Sequence, residues 1–234
     1  MMGSTLALEL AVIPSIVLFV IIWKHDKVEK EPAKLLWSLF LFGALTTVSA
    51  MILGQLGQAG VTLFIDEESM LFIVIDNFLL TALIEEGGKF IVLKLKTWKH
   101  PAFNYTFDAV VYAVVASLGF ATAENIMYVG IYGVGNALVR AVTAVPSHVT
   151  DAIFMGCYYG YAKFAQSRGD IRREKHYMRL ALIIPILTHG FYDFCLSTGY
   201  DAFIIVFLIY DIAITIHAFR LMKKLSDTDT PINI

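Results

Sequence analysis

The sequence predicts an all-α, polytopic helical membrane protein, and three observations carry that class. Apolar residues make up 58% of the 234 and charged ones 16%, with a mean hydropathy of +0.69, where a soluble domain is more polar. The apolar residues gather in blocks of about twenty, the length that crosses a bilayer. The basic residues of the short loops between these blocks agree with a single topology, in which every lysine-rich or arginine-rich loop is cytoplasmic.

About seven spanning segments follow in order. The first covers residues 6–23 and, with no basic stretch ahead of it and no small-residue cleavage site, reads as a retained helix rather than a removed signal peptide. A charged loop, residues 24–32, holds Lys24, Lys27 and Lys30 and closes on Pro32, which opens the second segment, 33–56. Asp66, Glu67 and Glu68 have no basic neighbour, so this loop belongs outside. The third segment, 70–95, leads into Lys94, Lys96 and Lys99, inside again. The fourth spans 106–129, and residues 130–136 form an uncharged outer turn. The fifth covers 137–165, with Gly156 and Gly160 in the small-xxx-small spacing that lets a helix pack backbone-close on a neighbour. Residues 168–179, with four arginines and a lysine, form a cytoplasmic loop before the sixth segment, 180–197. The seventh covers 201–222, and residues 225–234 are a polar cytoplasmic tail. The N-terminus is therefore expected outside and the C-terminus inside. Residues 1–234 are expected to form a single membrane domain whose functional core lies at about 70–200.

A net charge of −2 gives no reason to expect nucleic acid, since topology accounts for the basic residues. Cys157 and Cys195 fall inside apolar segments and support no disulfide framework.

The third segment carries Glu85, Glu86 and Lys89. Each carboxylate mid-helix in a membrane costs about 2.5 to 3.5 kcal/mol on insertion scales, so two together are expected to be paired, to face water, or to work. Glu85 and Lys89 are four apart on one helix face and are expected to pair, with Glu86 about 100° round the axis and free. Gly87 and Gly88 remove side chains beside it. At 1.5 Å per residue, Glu85, His148 and His189 each lie within roughly 5 Å of the middle of their segments, and Glu124 roughly 9 Å towards the outside. Separate helices can therefore bring them to one site, which must hold water. His189 with Asp193, four apart, and His148 with Asp151, three apart, give each imidazole a carboxylate to fix its tautomer. Asp108, at a helix start, suits capping and the dipole. Arg140 lies near the outer interface, where it is expected to snorkel or to pair locally. Asp76, Asp151, Asp211 and His217 read as structural, Asp211 with no partner to name.

The spaced motifs Glu85-Glu86-x-x-Lys89, Gly119-Phe120-x-x-x-Glu124-Asn125, Pro146-x-His148 and His189-Gly190-x-x-Asp193, on successive helices, resemble the PrsW family of intramembrane proteases over roughly residues 35–200. More distantly they are similar to the CAAX prenyl protease and Abi group. The chain departs from that group at Lys89, Glu124 and Asp193, which argues against a prenyl-protein substrate. The resemblance implies site-1-type cleavage of a single-pass membrane protein, such as an anti-sigma factor, in the cytoplasmic membrane of a bacterium.

Peptide hydrolysis needs an activated water, a polarised carbonyl and a proton for the leaving amine. In a zinc version Glu124, His148 and His189 are the candidate ligands and Glu85 or Glu86 the base. In a metal-free version a glutamate is the base, and Lys89 or a protonated histidine stabilises the oxyanion. Asp193 completes the candidate catalytic set. The strong zinc-protease signal HExxH is absent. Two rival readings stand beside this one: a proton-coupled transporter, which predicts inverted repeats and broken helices, and a non-catalytic scaffold for transmembrane helices, which would tolerate Glu86→Gln.

Overall fold

The computed structural model describes residues 2–232, and side chains from Glu9 onward. Eight α-helices run in the order α1 Met2–His25, α2 Ala33–Val61, α3 Met70–Ile75, α4 Leu83–Thr97, α5 Asp108–Val142, α6 Ala144–Ser167, α7 Ile171–Ser197 and α8 Asp201–Asp227, with a π-helical segment, Asp76–Ala82, joining α3 to α4. Among the described residues there is no strand, only an isolated bridge between Tyr105 and Pro231. Among the described residues four stretches are long and apolar enough to cross a membrane: Ala33–Val61, Asp108–Ser167, Ile171–Ser197 and Asp201–Asp227.

The 60-residue stretch Asp108–Ser167 folds back on itself. Gly133 has φ 77° and ψ −172° inside otherwise helical backbone, a conformation open in practice only to glycine. Antiparallel contacts follow on either side of it. Ser117 Oγ donates to the His148 carbonyl at 2.9 Å, a Cβ on Gly156 would sit 2.5 Å from Val110 Cα, and one on Gly160 would sit 2.4 Å from the Thr106 carbonyl oxygen. The close packing expected of Gly156 and Gly160 is therefore made against α5. The expected outer turn at residues 130–136 narrows to one glycine, because helical hydrogen bonding persists on both sides.

α5 is the central helix, with residues 108–122 buried. α2 crosses it at backbone contact: a Cβ on Gly43 would lie 2.0 Å from the Ala116 carbonyl oxygen, and one on Gly119 would lie 2.0 Å from that of Phe40. The outward faces of α2 and α8 carry apolar side chains such as Trp37, Leu45, Leu56, Ile205 and Ile209, which suits lipid rather than water.

The sequence places a charged loop at residues 168–179, and the structure corrects this. α6 ends at Ser167, and Gly169 follows with φ 71°. Asp170 caps α7 by accepting from the Arg173 N–H at 3.0 Å, so Arg172, Arg173, Lys175 and Arg179 occupy its first turns. Arginine, lysine and glutamate are good helix formers. Hydropathy marks where a helix becomes apolar, and α7 begins nine residues earlier. The C-terminal tail is also held. Its backbone pairs with residues 104–106, and Asp229 accepts from Thr106 Oγ1 and the Phe107 N–H, both at 2.9 Å.

Candidate active site

The π-helical segment ends immediately before the glutamate pair, and π segments are frequent at functional sites. From α4 the pair does not divide as its spacing suggests. Lys89 Nζ lies 2.6 Å from Glu86 Oε1 and 3.9 Å from Glu85 Oε2. The i,i+3 contact thus displaces the expected i,i+4 one: Glu86 is the buried partner of Lys89, and Glu85 is the carboxylate that faces the cavity. Lys89, itself fully buried, also lies 3.2 Å from His148 Nδ1 and 4.1 Å above the Phe120 ring. Gly88 packs against Thr46 of α2, while Gly87 faces open space.

Two histidines meet over this pair, their rings 5.3 Å apart. His189, on α7, places Nδ1 2.8 Å from Glu86 Oε1 and Nε2 3.0 Å from Asp193 Oδ2. His148, on α6, turns Nδ1 towards Lys89 and places Nε2 2.9 Å from Glu124 Oε2. Each imidazole therefore has an outer carboxylate to accept its Nε2–H, and each presents Nδ1 to the cluster, the arrangement by which a carboxylate fixes a ligand histidine. The expected pairing of His189 with Asp193 is present. That of His148 with Asp151 is not, because Asp151 Oδ1 takes the Thr188 hydroxyl at 2.5 Å and Glu124, from α5, supplies the carboxylate instead.

Donor atoms of Glu86, His148, Asp151 and His189 all lie within 4.8 Å of one another, and so do those of Glu85, Glu124 and His148. Glu124, His148 and His189, read from the sequence as one ligand set, are thereby divided between two groups. Glu85 Oε2, Glu86 Oε2 and Asp151 Oδ2 are buried and accept no hydrogen bond. Buried carboxylate oxygens without a donor, beside two imidazoles with inward Nδ1 atoms, are the donor set that a divalent ion of zinc's type takes.

The cluster opens on a cavity of about 340 Å³ that Glu85, Glu124, His148, Asp151, His189 and Asp193 all line. Its wall extends to Gln58 and Asp76, which are joined by a 2.7 Å hydrogen bond. Arg140, expected at the interface, reaches into the wall and bonds Glu124 and Asn125. Asp108 stays apart from the site and does not cap α5, whose N-cap position is Phe107; it accepts instead from the Asn104 and Tyr105 N–H groups of the preceding turn, at 3.0 and 2.7 Å. His217 packs on Phe154, outside the cluster.

The family of PrsW intramembrane metalloproteases matches residues 31–219. Proteins named Protease PrsW are similar along most of their length. That of Geobacillus kaustophilus is 33% identical over 79% of this chain and 77% of its own. That of Oceanobacillus iheyensis is 32% identical over 94% and 96%, and that of Clostridioides difficile 34% over 86% and 83%. No solved structure matches the chain. With a buried carboxylate and histidine cluster inside an apolar helical bundle, and with the family match covering most of its length, the chain belongs to the PrsW family of intramembrane metalloproteases.

Proposed function

We propose that this protein is an endopeptidase that cleaves a single-pass membrane protein by site-1-type cleavage, an anti-sigma factor being the type of substrate the family resemblance suggests. The observation that carries the reading is the buried ring of Glu86, His148, Asp151 and His189 opening on a polar cavity. A transporter would need a second opening and a repeat, and a helix scaffold would have no use for buried carboxylate oxygens without partners.

We place the protein in the bacterial cytoplasmic membrane with seven spans, N-terminus outside and C-terminus inside. On this topology α3, the π segment and α4 together make one span, and the α5–α6 hairpin makes two. The cavity then opens towards the outer face, since Gln58 and Asp76 flank the acidic loop of Asp66 to Glu68.

Glu86, His148, Asp151 and His189 would hold the metal, which we take to be zinc. When bound, it supplies a Lewis acid for the scissile carbonyl and the attacking water. Lys89 occupies Glu86 Oε1 and leaves Oε2 as that residue's free donor. Asp193 and Glu124 accept the Nε2–H of His189 and His148 and hold both rings in one orientation. Glu85 is the general base. Its Oε2 faces the cavity side of the cluster without a hydrogen bond, placed to take a proton from water and return it to the leaving amine.

One observation favours a metal-free variant: the Lys89 ammonium already lies between Glu86 and His148. There it would stabilise the oxyanion while Glu85 remains the base. The reading is tested by incubating the purified protein in liposomes with single-pass substrates and sequencing the products. New termini within or beside the membrane segment are expected, and intact substrates throughout would overturn it.

A further inference from the structure

Arg140 has no part in the motifs, yet the fold carries it a long way to reach the cluster. Residues 124 and 140 would be about 24 Å apart along one straight helix. Instead Arg140 Nη2 donates to Glu124 Oε2 at 2.5 Å, and its Nε donates to Asn125 Oδ1 at 2.9 Å. The reversal at Gly133 makes this contact. Residues 134–144 return along α5 and turn Ala137, Arg140 and Ala144 inwards, with Leu138, Val139 and Val142 outwards. The guanidinium is then fixed on three sides by one face of α5: Glu124, Asn125 and the Tyr128 ring, 4.0 Å below it. Asn125 is itself fully buried.

Glu124 Oε2 accepts from two donors, Arg140 Nη2 and His148 Nε2. The carboxylate lines the cavity, so without a second donor it is free to turn to the water there. With Arg140 in place its oxygen is pinned where His148 Nε2–H must donate to it, and His148 is left with Nδ1 as its lone-pair nitrogen, 3.2 Å from Lys89 Nζ on the side of the buried cluster. The outer carboxylate of the other histidine, Asp193, lies four residues from His189 on the same helix, so the helix itself sets their register. Glu124 and His148 sit on different helices, so their register needs a third group.

We infer that Arg140 is a positioning residue: delivered by the Gly133 reversal, it locks Glu124 so that His148 presents Nδ1 to the buried cluster. The inference rests on the reading of that cluster as the reaction site. It makes Gly133 functional at a distance. A Cβ there would meet nothing within 4 Å, so any effect of Gly133→Ala must come from its positive φ, which the arm relieves by moving Arg140.

The test uses the full chain in nanodiscs with ¹⁵N-labelled histidine, the His148 signals being identified by their loss in His148→Gln. The wild type is expected to show a single Nε2–H tautomer for His148. Arg140→Gln and Gly133→Ala should give a mixture, and Arg140→Lys, which keeps the charge without the fork, an intermediate pattern. Gly130→Ala and Gly135→Ala, which flank the turn and also meet nothing within 4 Å, should match the wild type. Zinc affinity, by competition with a chromophoric chelator, should fall about 10- to 100-fold in Arg140→Gln and Gly133→Ala. If Arg140→Gln does not fold, Arg140→Lys and Gly133→Ala carry the comparison. An unchanged His148 tautomer in the variants would reduce Arg140 to a brace for the arm and overturn the inference. A wild type that shows the expected tautomers but cleaves nothing would count against the protease reading alone.

Discussion

Lys89 Nζ lies 2.6 Å from Glu86 Oε1 and 3.9 Å from Glu85 Oε2, which gives two adjacent carboxylates different work. Glu86→Gln leaves a buried ammonium without its near carboxylate and is expected to destabilise the protein by about 3 to 5 kcal/mol as well as abolish cleavage. Glu85→Gln should leave stability within about 1 kcal/mol of wild type and reduce cleavage about 10²- to 10⁴-fold, the usual contribution of a general base. Thermal unfolding in detergent beside a cleavage assay checks the pair. Equal destabilisation by both substitutions would refute the division of labour.

Asp193 acts on His189 through its Nε2–H at 3.0 Å. Asp193→Asn keeps the shape and weakens the acceptor. Zinc affinity should fall about 10- to 100-fold with little change in unfolding temperature, and an unaltered affinity would remove Asp193 from the site.

The α2–α5 crossing has no room for a methyl group. Gly119→Ala and Gly43→Ala would each drive a Cβ to 2.0 Å from a backbone carbonyl oxygen, so each should destabilise by about 3 kcal/mol. Gly60→Ala, with nothing within 4 Å, should have no measurable effect. If all three unfold alike, the helices do not cross as described.

Glu31 and Asp26 lie in the loop between α1 and α2, outside the spanning helices. Burial pushes Glu31 up to about 7, against the hydrogen bond from Tyr112. Burial likewise pushes Asp26 up to about 6, with Lys30 opposing and Asp229 adding repulsion. The folded protein therefore holds protons that the unfolded chain releases near its ordinary carboxylate values. Stability from this region is complete below about pH 4 and is lost as pH rises through 6 to 7. The unfolding temperature should be several degrees higher at pH 5 than at pH 8, and Glu31→Gln should flatten the difference. A steeper dependence in the glutamine variant would contradict the assignment.

The sequence made the site legible because ionisable groups in apolar segments demand partners. Glu85, Glu86, Lys89, Glu124, His148, His189 and Asp193 stand out on that ground, and the fold brings them together. What it concealed follows from treating helices as straight and independent. Spacing allows Lys89 either glutamate, and in the fold it pairs with Glu86, which His189 also contacts, while lying over the Phe120 ring. Asp151 looked like the partner of His148, but Thr188 on another helix takes its oxygen. Depth along a segment sets Arg140 near the interface, snorkelling or paired locally, whereas one glycine at positive φ folds it back onto Glu124, 16 residues away on α5. The start of α7 was hidden because its first turns are charged and hydropathy registers the bilayer rather than the helix.

The most direct measurement is cleavage of a single-pass substrate in liposomes by the wild type, Glu85→Gln and Glu86→Gln, each with and without a membrane-permeant zinc chelator. The wild type is expected to cleave, chelation to stop it and added zinc to restore it, and neither variant to cleave at more than about a hundredth of the wild-type rate. Equal cleavage by all three proteins would contradict the assignment of these carboxylates to the chemistry. Cleavage that needs the glutamates but ignores the chelator would contradict the metal and leave the Lys89 variant standing.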